Sequence, residues 1–360
     1  MVSPFLPDAD KVAAVREALP ATAAGIYLNT GSVGPLPAET AKAMADLADW
    51  ESRVGRAHPD YWEETLLRLE EARAGVAAVL TSDVDRIALT HSCSHGMNVA
   101  SWAADWRRGG RAVTTSIEHI GALGPLYTLR DRWGIGLAIV DVGDGGDDER
   151  TVGALAEAIT PDTRLVSVSH VSWATGAVLP VARIADLARE RGALMVVDGA
   201  QAAGALPVAA DALGADFYAL SGQKWLLGPE GMGALWAAPS TWDAARQTFA
   251  SFFSYESHDG RGLAGPWPSA RRFELASFHR PSAVGFARSI GWLSMFVGLE
   301  WAQTRARSLA GRAADLLAAI PGITVITPRH QMATLVTLRI VGWPAERSLE
   351  ELGARTLAIA

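Results

Sequence analysis

Short apolar segments that end in turn residues alternate with helical patterns through the first two thirds of this sequence. Within residues 181–191, Val181, Ile184 and Ala188 repeat on one helical face while charged residues occupy the other. Such alternation is typical of a mostly parallel sheet covered by helices, so the sequence predicts an α/β fold. The predicted strands are residues 87–90, 112–115, 137–140, 165–168, 194–197, 217–220 and 234–237, and further predicted helices are residues 61–80, 95–106 and 120–133.

The length predicts more than one domain. A chain of 360 residues is longer than the roughly 250–300 residues at which a single core stops growing. The pattern weakens over residues 251–272, a stretch rich in Gly, Ser and Pro that predicts a boundary. Beyond it we predict a helical region, 283–320, two strand-like runs, 324–327 and 334–341, and a short helix, 348–352. We therefore expect an N-terminal arm, residues 1–25, a large domain, 26–260, and a smaller α/β C-terminal domain, 261–360.

Composition excludes several classes of partner. The net charge is −7 and no block of Lys or Arg forms a basic stripe, which argues against nucleic acid. Cys93 is the only cysteine, so the chain builds no internal disulfide and no all-cysteine metal site, as suits a reducing cytoplasm. The N-terminus lacks a signal-peptide pattern, and Arg288 interrupts the apolar run 286–299. We expect a cytoplasmic protein with no metal and no membrane partner.

Two charged residues follow apolar strands of the predicted sheet. Asp198 comes directly after residues 194–197, and Lys224 follows residues 217–220 through a three-residue turn. The acid alone is open to a structural role, satisfied by an arginine or by backbone amides. A lysine after a buried strand is costly unless its amine is neutral or covalently used. Pyridoxal phosphate (PLP) needs such a pair, because the amine forms an imine with its aldehyde and the carboxylate keeps the pyridine nitrogen protonated.

A phosphate site and a ring partner are predicted upstream. Residues 94–98, Ser-His-Gly-Met-Asn, follow a strand and open a helix, whose backbone amides bind anions. By itself this motif is weak, and an ordinary helix cap by Ser94 explains it equally well. His119 follows residues 112–115 and is placed to stack on the pyridine ring, although a lone histidine is more often structural.

Motifs spread over nearly the whole chain resemble the class V aminotransferase family of fold-type I PLP enzymes. They are YLNTGSVGPLP, THSCSHGMN, TSIEHI, SHVSWATGAVLPV, VDGAQAAGALPV and SGQKWLLGPEGMGALW. The resemblance implies the three-layer fold-type I architecture, PLP as cofactor and an amino acid as substrate. It also implies a homodimer whose two active sites are shared between subunits, because Ser277 resembles a residue that reaches the neighbouring subunit's phosphate.

The same resemblance assigns roles to individual residues. Lys224 matches the Schiff-base lysine, Asp198 the partner of the pyridine nitrogen and His119 the stacking histidine. Gln201 matches the residue that bonds the phenolic oxygen, although a helix cap would also explain it. The phosphate cup is assigned to Ser94, His95, Ser221 and Gln223, and substrate binding to Asn29, Gly31, Ser32 and Trp173. Trp173 and Trp225 would suit a sizeable apolar or aromatic substrate, with a core role as the alternative.

Four departures from the family pattern bear on the reaction. Gln223 stands where many members have histidine, and His95 stands where an acid is common, which brings a pH-sensitive group to the loop. Cysteine desulfurases need a mobile C-terminal cysteine, which this chain lacks, so desulfurase activity is disfavoured. The usual arginine for the substrate carboxylate lies beyond the last residue, so either the C-terminal domain is incomplete or Arg329 or another arginine replaces it.

Lys224 is expected to act as general base at the α-carbon of the amino acid. The motifs are most similar to those of isopenicillin N epimerase-like and aminotransferase-like members, so epimerisation and transamination are the leading predictions. A C–S lyase acting by β-elimination, or a cofactor-binding homologue without turnover, is the alternative. The Gly-rich run 228–233 comes before a strand, whereas the glycines of a dinucleotide-binding site come after one. A nucleotide-binding function is therefore not predicted.

Overall fold

The computed structural model describes residues 4–106, 109–275 and 277–356. Within them a seven-stranded sheet has the order β1-β7-β6-β5-β4-β2-β3, and β7 runs antiparallel to both its neighbours. The remaining pairs, β2 with β3, β2 with β4, β4 with β5 and β5 with β6, are parallel. The strands are β1 (Ile87–Thr90), β2 (Arg111–Thr115), β3 (Gly136–Val140), β4 (Thr163–Ser169), β5 (Leu194–Asp198), β6 (Phe217–Ser221) and β7 (Gly233–Ala237).

Helices cover both faces of this sheet. Side chains alternate along each strand, so that Val196 joins one apolar cluster and Val197 the other. The cluster on one face includes residues of α4 and α5, and the cluster on the other includes residues of α3, α6, α7 and α9. The helices are α1 (Asp8–Ala18), α2 (Ala38–Val54), α3 (Tyr61–Val79), α4 (Cys93–Trp102), α5 (Ile120–Trp133), α6 (Asp148–Ala158), α7 (Val181–Glu190), α8 (Thr241–Ala244), α9 (Arg280–Gly291), α10 (Leu299–Ala318) and α11 (Ala345–Thr356). The predicted three-layer α/β architecture is confirmed.

Every predicted strand of the sheet is present to within two residues, because buried apolar runs bounded by turns are unambiguous. The helical region 283–320 is wrong as a single element. A π-helix, Trp292–Val297, follows α9, and at Gly298, with φ of 85°, the chain turns by 84° into α10. Helices α1, α2, α6 and α8 were not predicted.

The segment 251–272, expected to be a domain boundary, contains an antiparallel hairpin. Its strands are β8 (Tyr255–His258) and β9 (Ala264–Pro266). Farther along, β10 (Ile323–Val325) pairs with β11 (Leu338–Ile340) beside α10. Phe286 and Ile290 of α9 belong to the main core, so this helix packs on the large sheet.

A buried ion pair fixes β1, an edge strand that leads to one end of the candidate site. Glu274 accepts the outward N–H of Leu89 at 2.8 Å and pairs with Arg73 of α3 at 2.7 Å. Both charged side chains are about 1% exposed. Because β1 has a strand neighbour on one side only, the carboxylate supplies the acceptor that a further strand would have supplied.

No single helix in the described ranges is long and apolar enough to span a membrane. The helical segments 280–297 and 299–318 have the length and the apolar composition of a membrane span only when they are counted together across the bend between them.

Candidate active site

Asp198 and Lys224 meet at the carboxyl edge of the sheet. Asp198 is the last residue of β5, and Lys224 follows β6, the neighbouring strand, by three residues. The charges of both act on the pKa of His119 and on the pKa of Cys93. The acid and the amine therefore lie together at this edge of the sheet.

The Asp198 carboxylate is buried and held through one oxygen. Oδ1 accepts the Ala200 N–H at 2.9 Å and the Cys93 thiol at 3.2 Å. Among the described residues, Oδ2 has no hydrogen-bond partner and is free for a ligand. Burial, followed by the nearby Asp198 charge, raises the pKa of the Cys93 thiol well above its ordinary value. Cys93 is therefore a neutral hydrogen-bond donor. Of the two structural alternatives for Asp198, a contact with arginine is absent from the described residues, whereas a backbone amide, that of Ala200, does bond the carboxylate.

His119 lies at the end of the loop after β2 and caps α5. Its Nδ1 accepts the Gly121 N–H at 2.9 Å, which leaves the proton on Nε2. Partial burial, and next the positive charge of Lys224, lower the pKa of His119, so the ring is neutral near pH 7. The ring of Trp173 stands edge-on to it, with centroids 5.2 Å apart. Trp173 is 49% exposed, so a core role for this tryptophan is wrong.

The predicted phosphate loop is the N-terminus of α4. The helix cap is Ser92, whose Oγ accepts the His95 N–H at 3.1 Å, and the alternative of a cap by Ser94 is wrong. Ser94 is exposed and close to α5, since a Cβ on Gly121 would lie 2.5 Å from Ser94 Oγ. The two helix starts therefore leave room between them only because residue 121 is glycine.

His95 pairs with His91 in front of this helix. Nδ1 of His95 accepts the His91 backbone N–H at 3.1 Å and lies 3.3 Å from His91 Nδ1. Burial, with the charge of His91, lowers the pKa of His95 to about 4. Nε2 of His95 is buried without a partner among the described residues. The Ser277 carbonyl lies 3.2 Å from His91 Nε2, and the Ser277 side chain is exposed.

The turn between β6 and Lys224 carries the other two predicted phosphate residues. Ser221 is buried at the end of β6. The side-chain oxygen of Gln223 is buried and has no partner in the described structure.

The segment 29–34 is bound to the lysine turn. The Gly34 N–H donates to the Gln223 carbonyl at 2.7 Å, and a Cβ on Gly34 would lie 2.4 Å from the Lys224 carbonyl oxygen. Asn29, Gly31 and Ser32, predicted to bind substrate, therefore lie beside the turn that carries Lys224.

Gln201 connects this segment to the site. Its amide donates to the Gly31 carbonyl at 2.8 Å and accepts from the Trp225 indole at 2.8 Å. These contacts account for its buried side chain, and the helix-cap alternative is wrong. Arg329, considered for the substrate carboxylate, is instead exposed and paired with Asp315 at 2.8 Å.

Sequence reasoning missed Glu118, the residue before His119. Its carboxyl is buried and accepts hydrogen bonds from Thr115 and Ser169. Burial raises the pKa of Glu118 to about 7, against the lowering effect of both hydroxyl groups. The signal available was an acid, next to an apolar residue, in the short loop after a predicted strand. The described residues contain no group of three His, Cys, Asp or Glu side chains placed to hold a metal ion.

Comparison with known proteins gives the family. The sequence model described as Aminotransferase class-V matches residues 26–360. The chain belongs to the class V aminotransferase family.

Class V relatives include two kinds of enzyme. A probable cysteine desulfurase from Methanothermobacter thermautotrophicus is 33% identical over 62% of this chain and 56% of its own length. The isopenicillin N epimerase of Streptomyces clavuligerus is 30% identical over 84% of this chain and 77% of its own. Among solved structures, the cystine C–S lyase C-DES superposes with a TM-score of 0.87 at 24% identity, covering 93% of this chain and 90% of that one. The apo cysteine desulfurase of Thermococcus onnurineus NA1 gives 0.83 at 25% identity, covering 99% and 88%.

The cofactor of the class V family is PLP, and the residues of this chain fit it. Asp198 keeps a free carboxylate oxygen, and Lys224 comes from the neighbouring strand. The N-terminus of α4 offers an anion site, and His95 and Gln223 hold buried polar atoms that lack partners among the described residues. The chain is a class V PLP enzyme.

Proposed function

We propose that this enzyme breaks a carbon–sulfur bond of a cysteine-type amino acid by β-elimination, releasing the sulfur on a small molecule. The observation that carries the proposal is the state of Cys93. The chain has no other cysteine, and this thiol is buried and bonded to Asp198. Relatives named as cysteine desulfurases support chemistry at a C–S bond. This buried thiol is not placed to carry the sulfur away, so we propose that a small molecule accepts it.

The proposed roles follow from the contacts. When bound, PLP withdraws the electrons left on the α-carbon after its proton is lost. Lys224 takes that proton, and Asp198 keeps the ring nitrogen protonated. His119, neutral and fixed by Gly121, would lie against the ring, while Ser94 and the amides that begin α4 would hold the phosphate. Ser221 and Gln223 would complete the phosphate cup.

Substrate binding is proposed for Asn29, Gly31, Ser32 and Trp173. The first three lie in the segment fixed against the lysine turn, and Trp173 adds an exposed aromatic wall beside His119. An apolar wall suits a disulfide or thioether side chain better than a charged one. No role in carboxylate binding is proposed for Arg329.

Epimerisation is the second candidate, favoured by the 30% identity to isopenicillin N epimerase over 84% of the chain. It would require a second proton donor at the α-carbon, and His119, whose Nε2 carries the ring proton, is the residue that we propose for this role. Transamination, which the family name suggests, has no support in the names of the relatives quoted above.

A homodimer with shared active sites is also proposed. The Ser277 side chain is exposed beside the phosphate loop, and Ile26 and Leu28, just before segment 29–34, are 57% and 64% exposed. Light scattering is expected to give twice the monomer mass, and a monomer would contradict the proposal. We retain the arm, large domain and small domain at residues 1–25, 26–260 and 261–360, and the single thiol suits a reducing compartment such as the cytoplasm.

Product analysis tests the reaction. The PLP-loaded protein is incubated with L-cystine, L-cysteine and a panel of other L-amino acids. Elimination from cystine yields pyruvate, ammonia and cysteine persulfide in equal amounts, since one C–S bond breaks and water releases the nitrogen. D-amino acid without pyruvate would instead support epimerisation, and 2-oxo acid without ammonia would support transamination.

Lys224→Ala is the matched control for that experiment. The variant is expected to lose turnover and the absorbance of the lysine-linked cofactor. A variant that still eliminates at the wild-type rate would refute the role of Lys224.

A further inference from the structure

Glu118 is a buried acid that the roles above leave unused. It lies in the loop between β2 and α5, next to His119. Thr115, the last residue of β2, donates to Oε1, and Ser169, the last residue of β4, donates to Oε2. The side chain thus links the ends of two neighbouring strands. Each oxygen of the Glu118 carboxylate accepts a hydrogen bond, so these two bonds fix the position of the side chain.

Asp198 is the next acid along the same sheet edge. Ser169 pairs in register with Asp198 across β4 and β5. Of the charged groups on the described elements around Glu118, Asp198 is the one that acts on its pKa, and it raises that pKa after burial has done so. The Cys93 thiol and the Tyr218 hydroxyl near Asp198 stay protonated, because burial raises the pKa of each. Two carboxyls therefore share a buried edge in which no described cation pairs with Glu118.

We propose that Glu118 is a positioning residue that anchors the His119 loop and, through its own charge, sets how strongly Asp198 holds the proton of the ring nitrogen. The inference rests on the site proposed for PLP, but not on which reaction follows.

The physical reason is repulsion between like charges at low dielectric. An ionised Glu118 adds a second negative charge at the sheet edge that carries Asp198, and this charge changes how strongly the proton of the ring nitrogen is held. A neutral Glu118 removes this effect. Because the pKa of Glu118 is about 7, the charge near the ring nitrogen changes around neutral pH.

Two spectroscopic titrations of the holoenzyme test this inference. Infrared absorption of protonated carboxyl groups is expected to lose one signal with a midpoint near pH 7, as the pKa of Glu118 requires. The visible absorbance of the bound cofactor is expected to change with the same midpoint. Glu118→Gln should lose both changes. Glu149→Gln, at an exposed carboxylate paired with Arg183, should behave as wild type.

Ser169→Ala keeps the charge but removes one donor to the carboxylate. It should move both midpoints upward by about one pH unit, the equivalent of one lost hydrogen bond. This variant also carries the test if Glu118→Gln does not fold.

A cofactor absorbance that titrates identically in Glu118→Gln and wild type would overturn the inference. Midpoints unmoved by Ser169→Ala would overturn it too. Failure of the protein to bind PLP would refute the proposed site, whereas normal titrations without C–S cleavage would refute only the proposed reaction.

Discussion

Gly34→Ala tests whether the segment 29–34 positions the substrate. A Cβ at this residue would lie 2.4 Å from the Lys224 carbonyl oxygen and 2.5 Å from Leu227 Cδ2. Ordinary contact requires about 3.5 Å, so the segment and the lysine turn must separate by about 1 Å. That separation also breaks the 2.7 Å hydrogen bond from the Gly34 N–H to the Gln223 carbonyl.

The cost can be worked from these contacts. Overpacking a close-packed site costs about 1–3 kcal/mol, and the lost hydrogen bond costs about 1 kcal/mol. The variant should therefore be about 2–4 kcal/mol less stable than wild type. A displacement of about 1 Å beside the reacting centre can reduce kcat/KM by about 10²-fold, because orientation is lost.

Urea unfolding, steady-state kinetics and PLP binding are the measurements. Gly124→Ala in α5 is the matched control, since nothing lies within 4 Å of its added Cβ, and it should be neutral or slightly stabilising. Adding Leu227→Ala to Gly34→Ala should not restore activity, because the clash with the Lys224 carbonyl oxygen remains.

Two results would refute the reasoning. Wild-type kcat/KM in Gly34→Ala would mean that segment 29–34 does not position the substrate. Rescue by Leu227→Ala would mean that the leucine side chain, and not the backbone of the lysine turn, is the obstacle.

Three further predictions concern buried charged and thiol groups. The pKa of Glu118 is about 7 in the folded protein and 4.5 in the unfolded chain. Glu118 therefore contributes to the free energy of unfolding below pH 4.5, and this contribution is lost as pH rises through 7. This loss of about 3 kcal/mol should be missing in urea unfolding of cofactor-free Glu118→Gln between pH 5 and 8, and an equal loss in both proteins would contradict it. Cys93 should resist iodoacetamide in the native protein and react once unfolded, so rapid native labelling would contradict its burial. Arg73→Met should cost about 3–5 kcal/mol by leaving the Glu274 carboxylate unpaired, and adding Glu274→Leu should recover part of that loss in denaturant unfolding; no recovery would mean the charge is not the cause.

The sequence was sufficient to predict the sheet and the residues at its carboxyl edge. Asp198 and Lys224 directly follow apolar runs whose length and turn residues define strands, so their place on the edge follows from chain order alone. The same argument predicts that His119, which follows another apolar run, lies at this edge. These predictions depend on local pattern and on the rule that ligands bind at strand ends.

Other parts of the site depend on packing that no local pattern encodes. The contact of Cys93 with Asp198 joins residues 105 positions apart, and the hydroxyl groups that donate to Glu118 come from two strands. The bend at Gly298 was hidden because apolar residues continue through it. Helix α6 was missed because its start, capped by Asp147, lies in an acidic stretch that also suits a solvated turn.

The position of β1 has a consequence for folding order. This strand precedes the other six in the sequence, yet its neighbour is β7, with residues 87–90 paired to 233–236. A nascent chain therefore synthesises the start of α4 early but has no partner strand for β1 until β7 emerges. Closing so long a loop is slow and entropically costly. The anion-binding end of the site should thus be among the last parts to form during synthesis, with vitamin B6 capture delayed until most of the polypeptide exists.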